Sequence, residues 1–361
     1  MAVKFKKRLV DNVKFEASSV FDVNNDGILD IVCGENWYEG PDFKIRHKIC
    51  EVMPADEYYD DFSDYPMDVN GDGYLDIITG GWWGKTLRWR ENPGNNNEWK
   101  VHDIDLCGSI ETIRFFDIDN CGVPEIFPNT PAEPQVFYKL VVDKNGIGTG
   151  EFKKYVIGED ESGHGMGFGD INGDGRTDVI LCNGWLEQPD SSFYGQWKFH
   201  PEFDLGSASV PILTYDVTGN GLLDIIAGQA HNFGLDWWEQ KLDVNGERIW
   251  IKHGIDDTMS QYHDLWLADI DNDGEPELIT GKRYRAHCGN DPGETDDFSV
   301  GIYYFDIDTG KFEKHIIDHG PVGEATGCGI YFWVTDINGD GYLDVVAPGK
   351  DGLYLFENLG E

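Results

Sequence analysis

Two kinds of segment alternate along the whole chain. Short runs of apolar, often β-branched residues, such as Ile77–Thr79 and Val345–Ala347, have the pattern of buried strands. Each run follows directly on a loop of alternating acids, amides and glycines, of which 170–178 (DINGDGRTD) is the clearest copy. The pattern predicts strand–loop–strand units, because no amphipathic helical period flanks the loops.

These loops have the chemistry of a hard-cation site. Carboxylate or amide oxygens at every second residue point inward, and Gly175 permits the left-handed turn that closes the loop. The spacing is similar to that of the EF-hand, but the distal glutamate and the flanking helices are missing. We therefore predict calcium sites carried between two strands.

Recurrence of the loop predicts the fold. Its first aspartate returns at intervals of 46 to 67 residues, with about four strand-like runs in each interval, which is typical of propeller blades. Seven copies predict an all-β, seven-bladed β-propeller that forms a single domain over residues 1–361. The copies begin at Asp22, Asp68, Asp117, Asp170, Asp216, Asp269 and Asp336.

The alternating segment 3–10 is predicted to close the ring. It resembles the segments that end other blades, while the chain after the last loop supplies only two further strands, up to residue 358. The N-terminal strand should therefore complete the blade formed by 325–358, which removes free sheet edges.

Five loops have a complete set of ligand residues and two are eroded. The third carries Cys121 and Glu125, and the fifth carries Thr218 and Asn220, so weak or absent metal is expected in both. Structural Ca²⁺ is predicted at the other five. The predicted ligands are Asp22, Asn24, Asp26 and Asp30; Asp68, Asn70, Asp72 and Asp76; Asp170, Asn172, Asp174 and Asp178; Asp269, Asp271, Asp273 and Glu277; and Asp336, Asn338, Asp340 and Asp344.

On these loops and the strands that follow them, nearly the whole chain resembles the FG-GAP (VCBS-type) repeats of integrin-like β-propellers. The resemblance implies the propeller fold and calcium-binding loops. It leaves function open, because such propellers serve as adhesion modules, scaffolds and enzymes.

Charge and cysteine content indicate which partners and which cellular compartment to expect. A net charge of −39 argues against nucleic acids and anionic membranes as partners, and bound calcium would neutralise part of it and stabilise the fold. The seven cysteines show no tight pairing pattern, and the first twelve residues have no signal-peptide core, so a cytoplasmic protein with reduced thiols is expected. Calcium loops suit calcium-rich compartments, so a secreted or periplasmic location follows if a signal peptide was removed.

The candidate catalytic and binding residues are predicted to lie together, at the end of the ring away from the loops. Six residues before the loop aspartate, the blades carry Glu111, His164 and His263, while His231, Lys282 and Arg283 come just after second strands. Two long segments, 53–65 and 281–299, add length there, and the second supplies Tyr284 and His287. Trp37, Trp82, Trp83 and Trp185 are candidate sugar-stacking side chains, with packing between blades as the alternative.

A divalent metal fits this group. His164, His263 and Glu111 are candidate ligands for Mg²⁺, Mn²⁺ or Zn²⁺, with positions left open for substrate oxygens. The histidines are equally candidates for general base and acid, without assignment of which is which, and Lys282, Arg283, Tyr284 and His287 complete the predicted catalytic set. Structural histidines are the simpler alternative for any one of them.

The stretches HGMGFGDINGDGRTD, AHNFGLDWWEQ and SQYHDLWLADIDNDGEPELITGKRYRAH are similar to the propeller domain of the fungal aldos-2-ulose dehydratases and their bacterial relatives. This resemblance implies a metal-dependent carbon–oxygen lyase acting on keto-sugars or 3-keto-glycosides by α-proton abstraction and β-elimination. The partner would be a carbohydrate or glycoside. The alternative is a non-catalytic, calcium-stabilised propeller that binds glycan or protein.

Overall fold

The computed structural model describes residues 3–159, 163–190, 195–295 and 300–360. Within them the chain forms seven four-stranded antiparallel sheets, one small hairpin and no α-helix, which confirms the predicted seven-bladed β-propeller. No helix in this described part has the length and apolar character needed to cross a membrane.

Each blade takes its strands from consecutive chain segments, except the last. In blade seven the closing strand Phe5–Asp11 pairs antiparallel with Leu353–Asn358, so the two ends of the chain share one sheet. The strands, in blade order, are Ser19–Phe21, Asp30–Cys33, Asn36–Glu39 and Ile45–Lys48; Tyr65–Met67, Asp76–Thr79, Thr86–Glu91 and Lys100–Leu106; Thr112–Phe116, Glu125–Asn129, Gln135–Val142 and Gly148–Gly158; Met166–Gly169, Asp178–Leu181, Gly184–Glu187 and Lys198–His200; Leu213–Tyr215, Asp224–Gly228, Phe233–Leu242 and Arg248–Ser260; Tyr262–Ala268, Glu277–Lys282, Val300–Asp308 and Lys311–Gly320; and Trp333–Thr335, Asp344–Ala347, Leu353–Asn358 and Phe5–Asp11. The hairpin Pro54–Ala55/Tyr58–Tyr59 precedes blade two.

The first strand of each blade lies innermost. Neighbouring first strands touch directly, as in the parallel bridge between Gly167 and Ile212. Gly167 is required there, because a Cβ would lie 2.0 Å from the carbonyl oxygen of Ile212. Apolar residues of adjacent blades then pack into clusters that run around the ring, for example Ile78 and Leu87 of blade two with Ile113 and Ile126 of blade three.

The predicted loops lie between first and second strands. The acid that opens each second strand is buried, and in five blades it joins the loop to the third strand. In blade two, the Asp76 carboxylate accepts the N–H groups of Val69 and Asn92 at 2.9 and 2.8 Å. Asp30, Asp178, Asp224 and Asp344 make the same pair of bonds in their own blades. In these blades the buried acid therefore holds the loop in place through backbone N–H groups of the loop and of the third strand.

An aromatic–histidine–acid ladder joins the third and fourth strands of most blades. In blade four the Trp185 ring stacks on His200 with centroids 4.1 Å apart, and His200 Nε2 lies 2.7 Å from the Glu187 carboxylate. The same arrangement recurs with Trp37–His47–Glu39, Trp89–His102–Glu91, Trp237–His253–Glu239 and Tyr304–His315–Asp306. Five of the ten histidines of the chain are thereby structural.

An amide side chain at the end of the third strand ties one blade to the previous one. Asn358 is fully buried, and its Nδ2 donates to the carbonyls of Ile270 in blade six and Leu343 in blade seven at 2.8 and 3.1 Å. Asn92 and Gln240 make equivalent bonds to Val23 and Ile171.

Replacing Asn358 by alanine is expected to lower the free energy of unfolding by about 1–3 kcal/mol, because two buried carbonyls lose their donor. Urea unfolding with calcium held constant measures the loss. Asn96→Ala, at an exposed position of the 92–99 loop, is the matched control and should change stability little. Equal stability of the two variants would contradict the inter-blade role of Asn358.

Candidate functional site

Four side chains from four blades meet at the end of the ring opposite the calcium-type loops. Glu111 and His164 immediately precede the first strands of blades three and four, His263 lies near the start of the first strand of blade six, and His231 follows the second strand of blade five. Each offers one ligand atom, and these four atoms lie within 4.8 Å of one another. We call Glu111, His164, His231 and His263 the mouth centre.

Glu111 is the hub of the mouth centre. Its Oε1 lies 3.0 Å from Nε2 of His263 and 3.2 Å from Nε2 of His164. The three imidazoles stand nearly perpendicular to one another, with centroids 4.6 to 5.8 Å apart. The three imidazoles of the mouth centre therefore meet edge to face and do not stack on one another.

Burial and charge set the protonation of this group. Burial opposes ionisation of Glu111, but the charge and hydrogen bonds of His164 and His263 hold its pKa well below the usual range. Burial, followed by the charge of His164, lowers the pKa of His231 to about 3. Burial and the charge of Arg283 also lower the pKa of His263 far below its usual value. A carboxylate beside the neutral imidazoles of His231 and His263 is the state that metal binding requires.

Outer groups orient two of the histidines. Nδ1 of His164 lies 2.6 Å from the carbonyl oxygen of Ala208, and Nδ1 of His231 lies 2.9 Å from the carboxylate of Asp291. With Nδ1 of His164 held in this way, its Nε2 faces Glu111, 3.2 Å from Oε1. Asp291 also contacts Nδ1 of the half-exposed His287, whose ring stacks on His231 at 4.1 Å. The long segment between the second and third strands of blade six is thus joined directly to the mouth centre.

A buried ion network borders the mouth centre. Arg283 is bonded through Nε to Glu16 at 2.8 Å, and its Nη1 lies 3.6 Å from Oε1 of Glu111. Lys350 lies 3.7 Å from the other oxygen of Glu16 and donates to the carbonyl of Arg285 at 2.6 Å. Burial disfavours the charged form of Arg283, but Glu16 and Glu111 outweigh it and raise the pKa. A permanent positive charge therefore stands beside the carboxylate.

A small aromatic pocket opens next to Glu111 and Arg283. It measures about 180 Å³ and is walled by Tyr58, Phe62, Trp82, Trp83, Ala286 and His287. Asp60 fixes the turn that carries the tryptophans, because its carboxylate accepts the N–H groups of Trp83 and Gly84. Both Trp82 and Trp83 remain 37% exposed. The two long segments, 53–65 and 281–299, thus meet around one pocket, although 296–299 lie outside the described residues.

The axis of the ring is bridged below the mouth centre. Arg114 reaches from blade three across to blade six, where it bonds the carboxylate of Asp264 at 2.7 Å, and its guanidinium lies over the Tyr331 ring. Aromatic side chains of the first strands pack beneath, as in the Tyr65–Phe115 stack at 3.7 Å. Arg114 thus links two blades that are not neighbours in the ring.

Several predicted site residues lie elsewhere. Trp37 and Trp185 are buried in the aromatic–histidine ladders, at 3% and 0% exposure, so their prediction as sugar-stacking side chains is wrong. Lys282 is buried and donates to the carbonyl of Gly293, so it holds the long segment in place. Tyr284 is half-buried and makes no hydrogen bond to the mouth centre within the described part of the chain.

The donor set of the mouth centre suits a divalent metal. Nδ1 of His263 is buried and has no hydrogen-bond partner among the described residues, and the buried Nε2 of His164 lies 3.2 Å from Oε1 of Glu111. Two imidazoles and one carboxylate from Glu111, His164 and His263 are a set used for zinc, manganese and non-haem iron, with positions left for oxygen ligands. The residues therefore fit the predicted metal.

Sequence comparison supports the repeat, and structural comparison supports the fold. A model of the FG-GAP-like repeat matches residues 68–127. Among solved structures, the crystal structure of BBS1N in complex with ARL6DN, soaked with lead, is similar with a TM-score of 0.52 and 11% identity, over 98% of this chain and 96% of that chain. At that identity the likeness shows the fold alone. No curated protein matches the sequence.

The chain is thus a seven-bladed propeller with an FG-GAP-like repeat. The narrower resemblance to aldos-2-ulose dehydratases is not supported by these comparisons and stays a prediction.

Proposed function

We propose that this propeller is a metal-dependent carbon–oxygen lyase that acts on keto-sugars or 3-keto-glycosides. The observation that carries the proposal is the mouth centre, where Glu111 and the imidazoles converge beside an aromatic pocket. Glu111, His164 and His263 would hold the metal. When bound, the metal would polarise the substrate carbonyl as a Lewis acid.

His231 is the residue best placed to move the proton. The Asp291 carboxylate lies 2.9 Å from its Nδ1, as in other carboxylate-oriented histidine bases, and one nitrogen of its ring lies within 4.8 Å of the ligand atoms of Glu111, His164 and His263. In the proposed reaction His231 takes the proton from the carbon next to the carbonyl. The electron pair of that C–H bond forms the new C=C bond, and the oxygen on the β-carbon leaves with the electrons of the C–O bond and takes up a proton.

Arg283 and the tryptophans supply the remaining interactions. Arg283 is held by Glu16 and directs Nη1 toward the pocket side of Glu111, where it would stabilise negative charge that develops on the substrate oxygen. Trp82 and Trp83 present exposed ring surface on which a sugar ring would stack.

The test is turnover on a panel of keto-sugars and 3-keto-glycosides, followed by ultraviolet absorbance of an enone and by NMR. The purified protein is assayed with added Mg²⁺, Mn²⁺ or Zn²⁺ and again after the metal is removed, with the fold checked by circular dichroism. We expect product only with metal. No product from folded, metal-loaded protein on any substrate would contradict the lyase.

The exposed pair Trp82 and Trp83 also supports the alternative of a calcium-stabilised propeller that binds glycan without turnover. In that case Trp83→Ala would lower glycan affinity, whereas His231→Gln would leave it unchanged.

A further inference from the structure

The third calcium-type loop is contacted by a cation of the protein itself. Lys139, in the third strand of blade three, donates to the carboxylates of Asp119 and Glu125, and its Nζ lies 3.4 Å from Sγ of Cys121. These three residues stand at three of the four positions that supply ligand side chains in the intact loops. The fourth, Asp117, accepts the N–H groups of Cys121 and Gly122.

The same position carries an acid in the other six blades. Strand pairing sets the equivalence: Tyr138 pairs with Ile126 in blade three as Tyr38 pairs with Ile31 in blade one, so Lys139 corresponds to Glu39. The pairings of the remaining blades place Glu91, Glu187, Glu239, Asp306 and Glu357 there. Five of these acids contact a histidine of the fourth strand, and Glu357 contacts Lys6. Blade three alone reverses the charge at this position.

The blade in which this charge is reversed is also one whose loop has lost an oxygen ligand for calcium. Cys121 replaces an oxygen ligand, and burial together with Asp119 raises the pKa of its thiol, so the neutral sulfur is a poor partner for a hard cation. In the fourth loop Arg176 also contacts an acid, but its bonds go to Asp174 at the rim of the loop and to the carbonyl of Gln188. Lys139 instead lies between two acids of its loop, Asp119 and Glu125, and donates to both.

We propose that Lys139 is the permanent cation of the third loop and that its ammonium group takes the place of the divalent ion. The acids of this loop do not fit an additional calcium while the lysine is present. Blade three would thus stay ordered when calcium is withdrawn, whereas the five intact loops would lose their counter-charge. Nothing in this proposal depends on the lyase.

Lys139→Met tests the proposal, with Lys144→Met in an exposed turn of the same blade as the control. Thermal midpoints are measured in chelator and in calcium, and bound calcium is counted by titration calorimetry. We expect Lys139→Met to lower the midpoint in chelator, to recover more than the wild type on addition of calcium, and to bind one further equivalent. Lys139→Arg, which keeps the charge, should match the wild type.

A midpoint in chelator equal to that of the control would overturn the proposal, as would a loss that calcium does not restore. If Lys139→Met does not fold without calcium, the double variant Lys139→Glu with Cys121→Asp decides, because it rebuilds the acid pattern of the other blades. This variant should bind one calcium more than the wild type, and an unchanged count would contradict the role of Lys139.

Discussion

Replacing Glu111 by glutamine is expected to abolish binding of a divalent metal at the mouth centre and to lower keto-sugar turnover by about 10³-fold or more. Glutamine keeps the shape of the side chain and an oxygen at the position next to Nε2 of His263 and of His164. It removes the charge that attracts the metal. Arg283 keeps its counter-charge in Glu16, so the fold should survive the substitution.

Metal content after dialysis and kcat/KM at saturating metal measure the two effects, with the thermal midpoint as the check of folding. His231→Gln is the matched comparison. Since His231 is assigned to proton transfer, turnover should fall by about 10²–10⁴-fold while the metal stays bound. Metal retained by Glu111→Gln, or lost from His231→Gln, would contradict the division between ligands and base.

The fold and part of the mouth centre could be predicted from the sequence because both follow the register of the repeat. The position six residues before the loop aspartate lies at the start of an innermost strand, so Glu111, His164 and His263 were predicted to come together from spacing alone. Their clustering with His231 follows because the second strand of blade five ends at the same face.

Residues outside the repeat register could not be placed in this way. Asp291 lies in the long segment between the second and third strands of blade six, and no spacing relates it to His231, which it contacts. Tyr58 and Phe62 likewise come from the 53–65 segment, whose contact with 281–299 depends on how both fold. Because neither segment is part of the repeat, the spacing of the blades could not predict the pocket that they form.

For two tryptophans the repeat register was correct but the predicted role was wrong. Trp37 and Trp185 lie on the expected blades, but each stacks on a histidine of the neighbouring strand. The signal was present in the sequence, because a histidine recurs in the fourth strand where an aromatic and an acid occur in the third, as with His47 and His200. Reading the third and fourth strands together would have identified the ladder.

Calcium removal is expected to destabilise the protein, and to do so more strongly as the pH rises. Each site is worth about 2.7 kcal/mol when free calcium is 100 times its dissociation constant. Without the ion, burial raises the pKa of the acid that opens the second strand, to about 7 for Asp76, Asp178 and Glu277 and to about 6 for Asp30 and Asp344.

The sign follows from proton binding. These folded-state pKa values lie above the usual value near 4 of the unfolded chain, so the folded state holds more protons between about pH 4 and 7. Stability of the calcium-free protein should therefore fall as the pH rises through this window, and self-repulsion of a chain with net charge −39 acts in the same direction. Calcium binds the ionised carboxylates, so its stabilising effect should grow over the same range.

Urea unfolding at pH 5, 6, 7 and 8, in chelator and in millimolar calcium, separates the two trends. The curves should diverge with increasing pH, because the calcium-free protein loses stability while the calcium-loaded protein retains it. Parallel curves would show that the loops bind no calcium. A calcium-free protein that gains stability between pH 5 and 8 would show that the buried acids are ionised in the fold at little cost, since proton release would then accompany folding.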